Sequence, residues 1–182
     1  MKSFFRHWFS YIYAKVFDDS EELKPMMGLA YANEMKNEPI KALHLNVPCK
    51  TPYTLREEAK AELDRLVVKG ILRWLKEGDV TEWLSGASFM IKPSRGMRLV
   101  TYLVHLNRAV GRPTQSFALV NDILSSKATF VTLDCLSGDW QIALGPKSQK
   151  LVAFLTEWGG LTHLRAPMGL TSSGDIFCHR TD

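Results

Sequence analysis

The stretch that decides the fold reads Val131-Thr132-Leu133-Asp134-Cys135-Leu136-Ser137-Gly138-Asp139-Trp140-Gln141-Ile142-Ala143-Leu144. A short apolar run leads to one carboxylate, Asp134. A Ser-Gly turn follows, and apolar residues then alternate with polar or small ones. This pattern predicts a strand, a tight turn and a second element, with an acid at the end of the strand. Such an acid can hold a hard metal ion through its oxygens, or it can simply cap the turn.

Length and composition indicate one globular domain with a substantial core. The chain has 182 residues, of which 46% are hydrophobic and 23% charged, with a net charge of +4 and a pI of about 9.0. A modest basic excess is compatible with a polyanionic partner but is weak evidence alone. The cysteines form no CxxC pair, which excludes a recognisable zinc site or disulfide framework and favours an intracellular setting, cytoplasm or nucleus. They are Cys49, Cys135 and Cys178.

Residues 1–16 form a start segment rich in aromatic and basic residues. No small-residue cleavage site follows, so a signal peptide is not expected, and no apolar run is long enough for stable membrane insertion. The favoured interpretation is a segment foreign to the domain or a helix packed on it. The alternative is an amphipathic helix at a membrane surface. Residues 17–53 are interpreted as an acidic linker and a lead-in strand over residues 39–47.

Residues 54–182 carry the clearest secondary-structure signals. Thr54 followed by Glu57 predicts a capping box, which begins a helix that Gly70 ends. Arg56, Lys60 and Arg65 mark its polar face. A β-hairpin with a basic tip is expected from residues 88–91 and 97–102. Further expectations are a helix at 117–124, strands at 127–133 and 149–155, a turn at 157–160 and a helix opening at 171–180.

The order of these segments resembles the reverse transcriptase of gypsy-type LTR retrotransposons. The resemblance implies an α+β chain with a partial right-hand polymerase fold, comprising the fingers and the first part of the palm. The matching motifs are Thr54-Leu55-Arg56-Glu57-Glu58 with residues 63–71, Thr81-Glu82-Trp83, Met97-Arg98-Leu99-Val100 with Leu106-Asn107-Arg108, residues 133–142, and Leu164-Arg165-Ala166-Pro167-Met168-Gly169-Leu170.

The same resemblance implies nucleotidyl transfer by two metal ions, Mg²⁺ or Mn²⁺, which clamp the attacking and leaving oxygens. Asp134 matches the first of three metal-binding carboxylates and is the candidate catalytic residue. The backbone carbonyl of Cys135 would be a second metal contact. The implied partners are an RNA or DNA template-primer, deoxynucleoside triphosphates and the rest of a polyprotein.

The resemblance implies that five residues face the triphosphate. Arg98 matches a cation of the fingers that lies on the phosphates, and Lys92 and Arg95 are its expected helpers. The backbone N–H groups of Ser137 and Gly138 would also point toward the phosphates.

The chain departs from the family pattern at several positions. No Tyr-x-Asp-Asp motif is present, so one carboxylate of three remains and the metals should not be held firmly. Asp139 stands where the family has an aromatic residue under the nucleotide sugar, and an acid there should repel the triphosphate. Tyr102 replaces an Asp, and Met168 replaces an aromatic residue or Gln that contacts the nucleotide. These departures predict a fragment that is inactive by itself; the alternatives are a non-catalytic nucleic-acid-binding remnant and a degenerate relic.

Overall fold

The computed structural model of the chain describes residues 2–14, 23–37, 40–93, 96–113 and 134–181. Its α-helices are α1 (Lys2–Ile12), α2 (Arg56–Val68), α3 (Val104–Ala109), α4 (Pro146–Leu151) and α5 (Thr171–Thr181). Short 3-10 helices cover Tyr53–Leu55 and Gly138–Gln141. The strands are β1 (Leu72–Trp74), β2 (Ser85–Ile91), β3 (Met97–Thr101), β4 (Ala153–Thr156) and β5 (Gly159–His163).

The strands form one mixed sheet in the order β1-β5-β4-β2-β3, and the sheet curls into half a barrel. β2 runs parallel to β4, with Ser85 opposite Phe154, and the other neighbouring pairs are antiparallel. Helices and strands therefore mix as the predicted α+β class requires.

Two buried clusters hold the sheet and helices together. One lies under α2 and the centre of the sheet and consists of Leu63, Leu66, Ile71, Leu72, Ala87, Phe154 and Leu161. The other joins α3, α5 and the turn after Asp134 and includes Trp83, Leu103, Leu106, Val110, Ile142, Leu144, Val152, Leu170 and Ile176. The second cluster fixes the elements that surround the candidate site.

The helix predicted from Thr54 begins two residues later and lacks the predicted capping box. Tyr53–Leu55 form a 3-10 turn, and Leu55 is the N-cap of α2 without a side-chain hydrogen bond to the helix. The end of the helix is as predicted. Gly70 adopts a left-handed φ of 64°, and the N–H of Ile71 donates to the carbonyl of Leu66 at 3.0 Å, as in a Schellman motif.

The predicted pairing of the hairpin strands is confirmed, and residues 94 and 95 of its tip lie outside the described residues. β2 and β3 pair from Ala87 opposite Thr101 to Ile91 opposite Met97, and the N–H of Lys92 donates to the carbonyl of Gly96 at 2.9 Å.

Some predicted strands are wrong. A strand is predicted at residues 39–47. Residues 40–47, which the structure describes, form only one isolated β-bridge, between His44 and Leu84. Residues 149–155 divide between the end of α4 and the start of β4, because Pro146 begins a helix that runs to Leu151. The predicted helix at 117–124 and strand at 127–133 lie outside the described residues.

The last predicted elements are present. Glu157 and Trp158 connect β4 to β5 by a tight turn within the predicted range 157–160, and the predicted terminal helix is α5. Among the described residues, no helix is both long and apolar enough to cross a bilayer.

Candidate functional site

The candidate catalytic residue lies at the start of a compact turn. Asp134 and Cys135 are exposed, and Ser137 adopts a left-handed conformation with φ 49° and ψ 50° that opens the 3-10 helix. The side-chain amide of Gln141 donates to the carbonyl of Leu136 at 2.9 Å and closes the turn. The second element expected after Asp134 is therefore a 3-10 turn, and extended backbone resumes only at Ile142.

Gly138 lies against the aromatic ring of Phe177 on α5. A Cβ at this position would come within 3.0 Å of the ring atom Cε2. The turn can approach α5 this closely because glycine has no side chain, so this contact sets the distance between the turn and the helix.

Asp139 is half-buried on the same turn. Burial raises the pKa of its carboxyl above the ordinary value, because the charged form loses hydration. None of the ion pairs between described residues involves this carboxylate. An acid stands where the resemblance leads one to expect an aromatic ring, and its environment disfavours its charge.

The loop at residues 166–170 is tied down by Asn107 of α3. The side-chain amide of Asn107 donates to the carbonyl of Gly169 at 2.8 Å, and its oxygen accepts from the N–H of Thr171 at 3.0 Å. Gly169 has a φ of 87°, which suits a glycine in a turn. Met168 projects from this loop with 38% of its surface exposed. Asn107 thus positions Met168 and also caps the first turn of α5.

A small cavity of about 10 Å³ brings the predicted motifs together. Its lining includes Leu99 of β3, Trp140 of the turn and Met168 of the loop. Of the described candidate site residues, Met168 alone is among this lining. Arg98 precedes Leu99 on β3, so its side chain points to the opposite face of the sheet. Three motifs that are far apart in sequence therefore meet at one place in the fold.

His163 of β5 lines the same cavity and was not singled out from the sequence. Its Nε2 lies 3.0 Å from the Thr101 hydroxyl, its Nδ1 has no partner among the described residues, and its ring lies 5.0 Å from that of Phe154. Burial lowers the pKa of His163 to about 3, so the ring is neutral at physiological pH. A lone histidine in a short strand carries no sequence signal for such a role.

The predicted cations fall into two groups. Arg98 is exposed on β3, Lys92 is half-buried at the hairpin tip, and neither forms an ion pair within the described part of the chain. Arg95 lies outside the described residues. Within the described part of the chain, the positive charge of this hairpin is therefore not balanced by an acid.

The cations of α2 are already paired. Arg56 contacts Glu157 at 2.6 Å, Lys60 contacts Asp64, and Arg65 contacts Glu62 at 2.7 Å. Their expected contribution to binding a polyanion is correspondingly reduced, because each charge is balanced by a neighbouring acid.

The described residues do not by themselves fit a two-metal site. Among them, no three His, Cys, Asp or Glu side chains lie close enough together to hold a metal ion. Asp134 supplies one carboxylate and Cys135 a carbonyl, whereas octahedral Mg²⁺ needs further oxygen ligands. The metal ion and its contacts with Asp134 and Cys135 stay predictions.

Solved structures of a viral reverse transcriptase share this architecture. The crystal structure of a prototype foamy virus protease-reverse transcriptase (the CSH mutant) matches 99% of this chain with a TM-score of 0.77 and 17% identity. This chain has the fold of part of a reverse transcriptase. The foamy viral protease-reverse transcriptase in complex with an RNA/DNA hybrid gives a TM-score of 0.73 over 96% of the chain at 16% identity. The complex with double-stranded DNA gives 0.71 over 94% at 16% identity.

The match covers only part of each relative. The chain spans 24%, 23% and 37% of those three structures. In sequence, it is 40% identical over 55 residues to the enzymatic polyprotein of figwort mosaic virus (strain DxS), which is 30% of this chain and 8% of the polyprotein. No family model matches the chain. The predicted partial polymerase fold is confirmed by the solved structures. The sequence match is to a short part of a viral polyprotein.

Proposed function

We propose that the chain is the fingers and first part of the palm of a reverse transcriptase of the gypsy-type LTR retrotransposons. The observation that carries this proposal is the cavity where β3, the turn after Asp134 and the loop at 166–170 meet. These are the motifs that the resemblance assigns to the triphosphate, the first metal ligand and the incoming nucleotide. Their convergence in a fold shared with a reverse transcriptase supports the assignment.

We further propose that the isolated 182 residues bind a template-primer without extending it. Arg98 and Lys92 form no ion pair with the described residues, and the chain carries a net charge of +4. Relatives of the same fold have been solved with an RNA/DNA hybrid and with double-stranded DNA. Contacts between cations and phosphates give binding that is independent of sequence and weakened by salt.

Chemistry by the isolated chain is disfavoured for two reasons. Asp134 is one carboxylate where the two-metal mechanism needs three. Asp139 adds a partly buried acid five residues later, close in sequence to where the triphosphate would lie, and an ionised carboxylate there would repel the phosphates.

Primer extension tests the chemical half of the proposal. The purified chain is given a primer-template, the four deoxynucleoside triphosphates and either Mg²⁺ or Mn²⁺, with the Asp134→Ala variant in parallel. We expect no extended primer from either protein. Nucleotide incorporation by the wild type that disappears in Asp134→Ala would show that one carboxylate suffices for catalysis. It would overturn the proposal that the isolated chain does not extend a primer.

Binding is tested by measuring affinity for a DNA duplex and an RNA/DNA hybrid at several salt concentrations. Arg98→Ala should make the negative slope of log K against log salt shallower by about one unit, because one phosphate contact is lost. Arg65→Ala is the matched control, since Arg65 is engaged by Glu62, and its slope should stay at the wild-type value. Equal slopes for Arg98→Ala and wild type would refute the role of Arg98. The absence of binding in low salt by folded protein would favour the degenerate relic.

A further inference from the structure

Helix α1 presents one apolar face that the candidate site does not use. At about 100° of rotation per residue, Phe4, Trp8, Tyr11 and Ile12 fall on one side of the helix. Their exposed fractions are 68%, 43%, 79% and 51%. Trp8 packs edge-on against Phe9 within the helix, with ring centroids 5.0 Å apart. This is a large aromatic surface open to solvent on an 11-residue helix.

The sequence of α1 and of the residues next to it is basic. Lys2, Arg6 and Lys15 carry positive charge, and residues 1–16 contain no acidic residue. An exposed aromatic face on a helix of basic sequence is typical of helices that lie in the surface of a bilayer.

The aromatic composition favours a lipid surface over a protein groove as the occupant. Trp and Tyr rings have an apolar body and a polar edge, and they concentrate at the boundary between acyl chains and headgroups. The helix is about 16 Å long, roughly half of the hydrocarbon thickness, so it can lie in the interface but cannot span it. The positive charge of residues 1–16 complements anionic headgroups.

We propose that α1 binds the surface of an anionic lipid bilayer, with Phe4, Trp8, Tyr11 and Ile12 buried at the level of the headgroups. The acidic run that follows, at Asp18, Asp19, Glu21 and Glu22, opposes a purely electrostatic attraction. The apolar face therefore supplies most of the binding, and added salt weakens it only modestly.

Vesicle flotation of the full chain tests the proposal. The probes are vesicles of phosphatidylcholine alone and of phosphatidylcholine mixed with phosphatidylserine. Wild type should float with the mixed vesicles, and Tyr11→Asp should reduce its partitioning about tenfold or more, because it places a charge on the buried face. Tyr53→Asp is the matched control, since Tyr53 is also an exposed tyrosine, with 87% of its surface open, but lies outside α1. This variant should float like the wild type.

A second readout locates the helix in the bilayer. Lipids brominated on their acyl chains should quench part of the tryptophan fluorescence of the bound chain, and Trp8→Phe should abolish that quenching while the protein still floats. The proposal is overturned if wild-type protein does not float, or if Tyr11→Asp floats equally well. It is also overturned if α1 instead drives self-association in the absence of lipid and the vesicles bind nothing.

Discussion

His163 makes the stability of this fold dependent on pH between about 3 and 6.5. Its pKa is lowered from 6.5 to about 3 by burial. The unfolded chain therefore binds a proton between these values and the folded chain does not. The stability conferred by neutral His163 is fully present above pH 6.5 and is lost progressively as the pH falls toward 3.

The size of the effect follows from the shift. Each pH unit inside this window costs about 1.4 kcal/mol, so lowering the pH from 7.5 to 4.5 should remove about 3 kcal/mol from the free energy of unfolding through His163 alone. Across the whole window the loss is about 5 kcal/mol. With a urea m-value of about 1–3 kcal/mol/M, the midpoint at pH 4.5 should fall by about 1–3 M.

Urea denaturation of wild type and His163→Phe at the two pH values measures this contribution. A phenyl ring retains packing against Phe154, and the small adjoining cavity gives it room. The variant loses the hydrogen bond to Thr101, which lowers its stability by about 1 kcal/mol at both pH values. Its loss of stability between pH 7.5 and 4.5 should be about 3 kcal/mol smaller than that of wild type.

Comparing the two losses cancels the contributions of the other titrating groups. His105→Phe is the matched control, because His105 is exposed on α3, and it should behave like wild type. If wild type and His163→Phe lose the same free energy between the two pH values, the neutral buried histidine is not a determinant of stability and the reasoning fails.

Two other side chains give separate expectations. Asp139→Asn should raise the free energy of unfolding at pH 7. Burial raises the pKa of Asp139, so its ionised form opposes folding at this pH. The gain in stability should vanish below pH 3.8, where the carboxyl is protonated in both the folded and the unfolded state. An equal gain at pH 3 and pH 7 would point to packing instead. Asn107→Ala should cost about 1–3 kcal/mol by thermal or urea denaturation, because two hydrogen bonds to the loop at 166–170 and to α5 are lost. His105→Ala on the same helix should cost far less, and equal losses would contradict the role of Asn107 as the tie between these elements.

The sequence predicted those parts of the fold that have local signals. Gly70 ends α2 because a left-handed residue there closes the Schellman motif, and the basic hairpin tip follows from a turn between two short apolar runs. The capping box at Thr54 failed because Tyr53–Leu55 form a 3-10 turn, which shifts the N-cap to Leu55. The strand expected at 149–155 failed because Pro146 starts α4 in front of an apolar run that periodicity cannot assign.

The candidate site was less predictable because the hydrogen bonds and ion pairs that hold it in place join residues far apart in sequence. Asn107 belongs to a recognised motif, but its bonds reach residues 62 and 64 positions away. His163 and Thr101 are paired over a similar separation and carry no motif at all. The pairing of Arg56 with Glu157 likewise joins α2 to the turn after β4, so a cation that looked available in sequence is neutralised in the fold.

The contacts that hold the candidate site in place can be separated from the residues proposed to act in catalysis. Asn107 holds the loop, Gly138 lets the turn contact Phe177, and His163 fills the cavity wall in neutral form; none of these contacts involves Asp134. The scaffold is therefore held by residues other than the proposed catalytic carboxylate. Asp139 tests this separation most directly, because an acid at that position should weaken triphosphate binding while the neighbouring contacts stay in place. If Asp139→Tyr strengthened nucleotide binding and had the same midpoint of urea denaturation as Asp139→Asn, the departure would concern ligand binding alone. If its midpoint differed from that of Asp139→Asn, the turn and the site would be one unit, and the scaffold could not be treated apart from its chemistry.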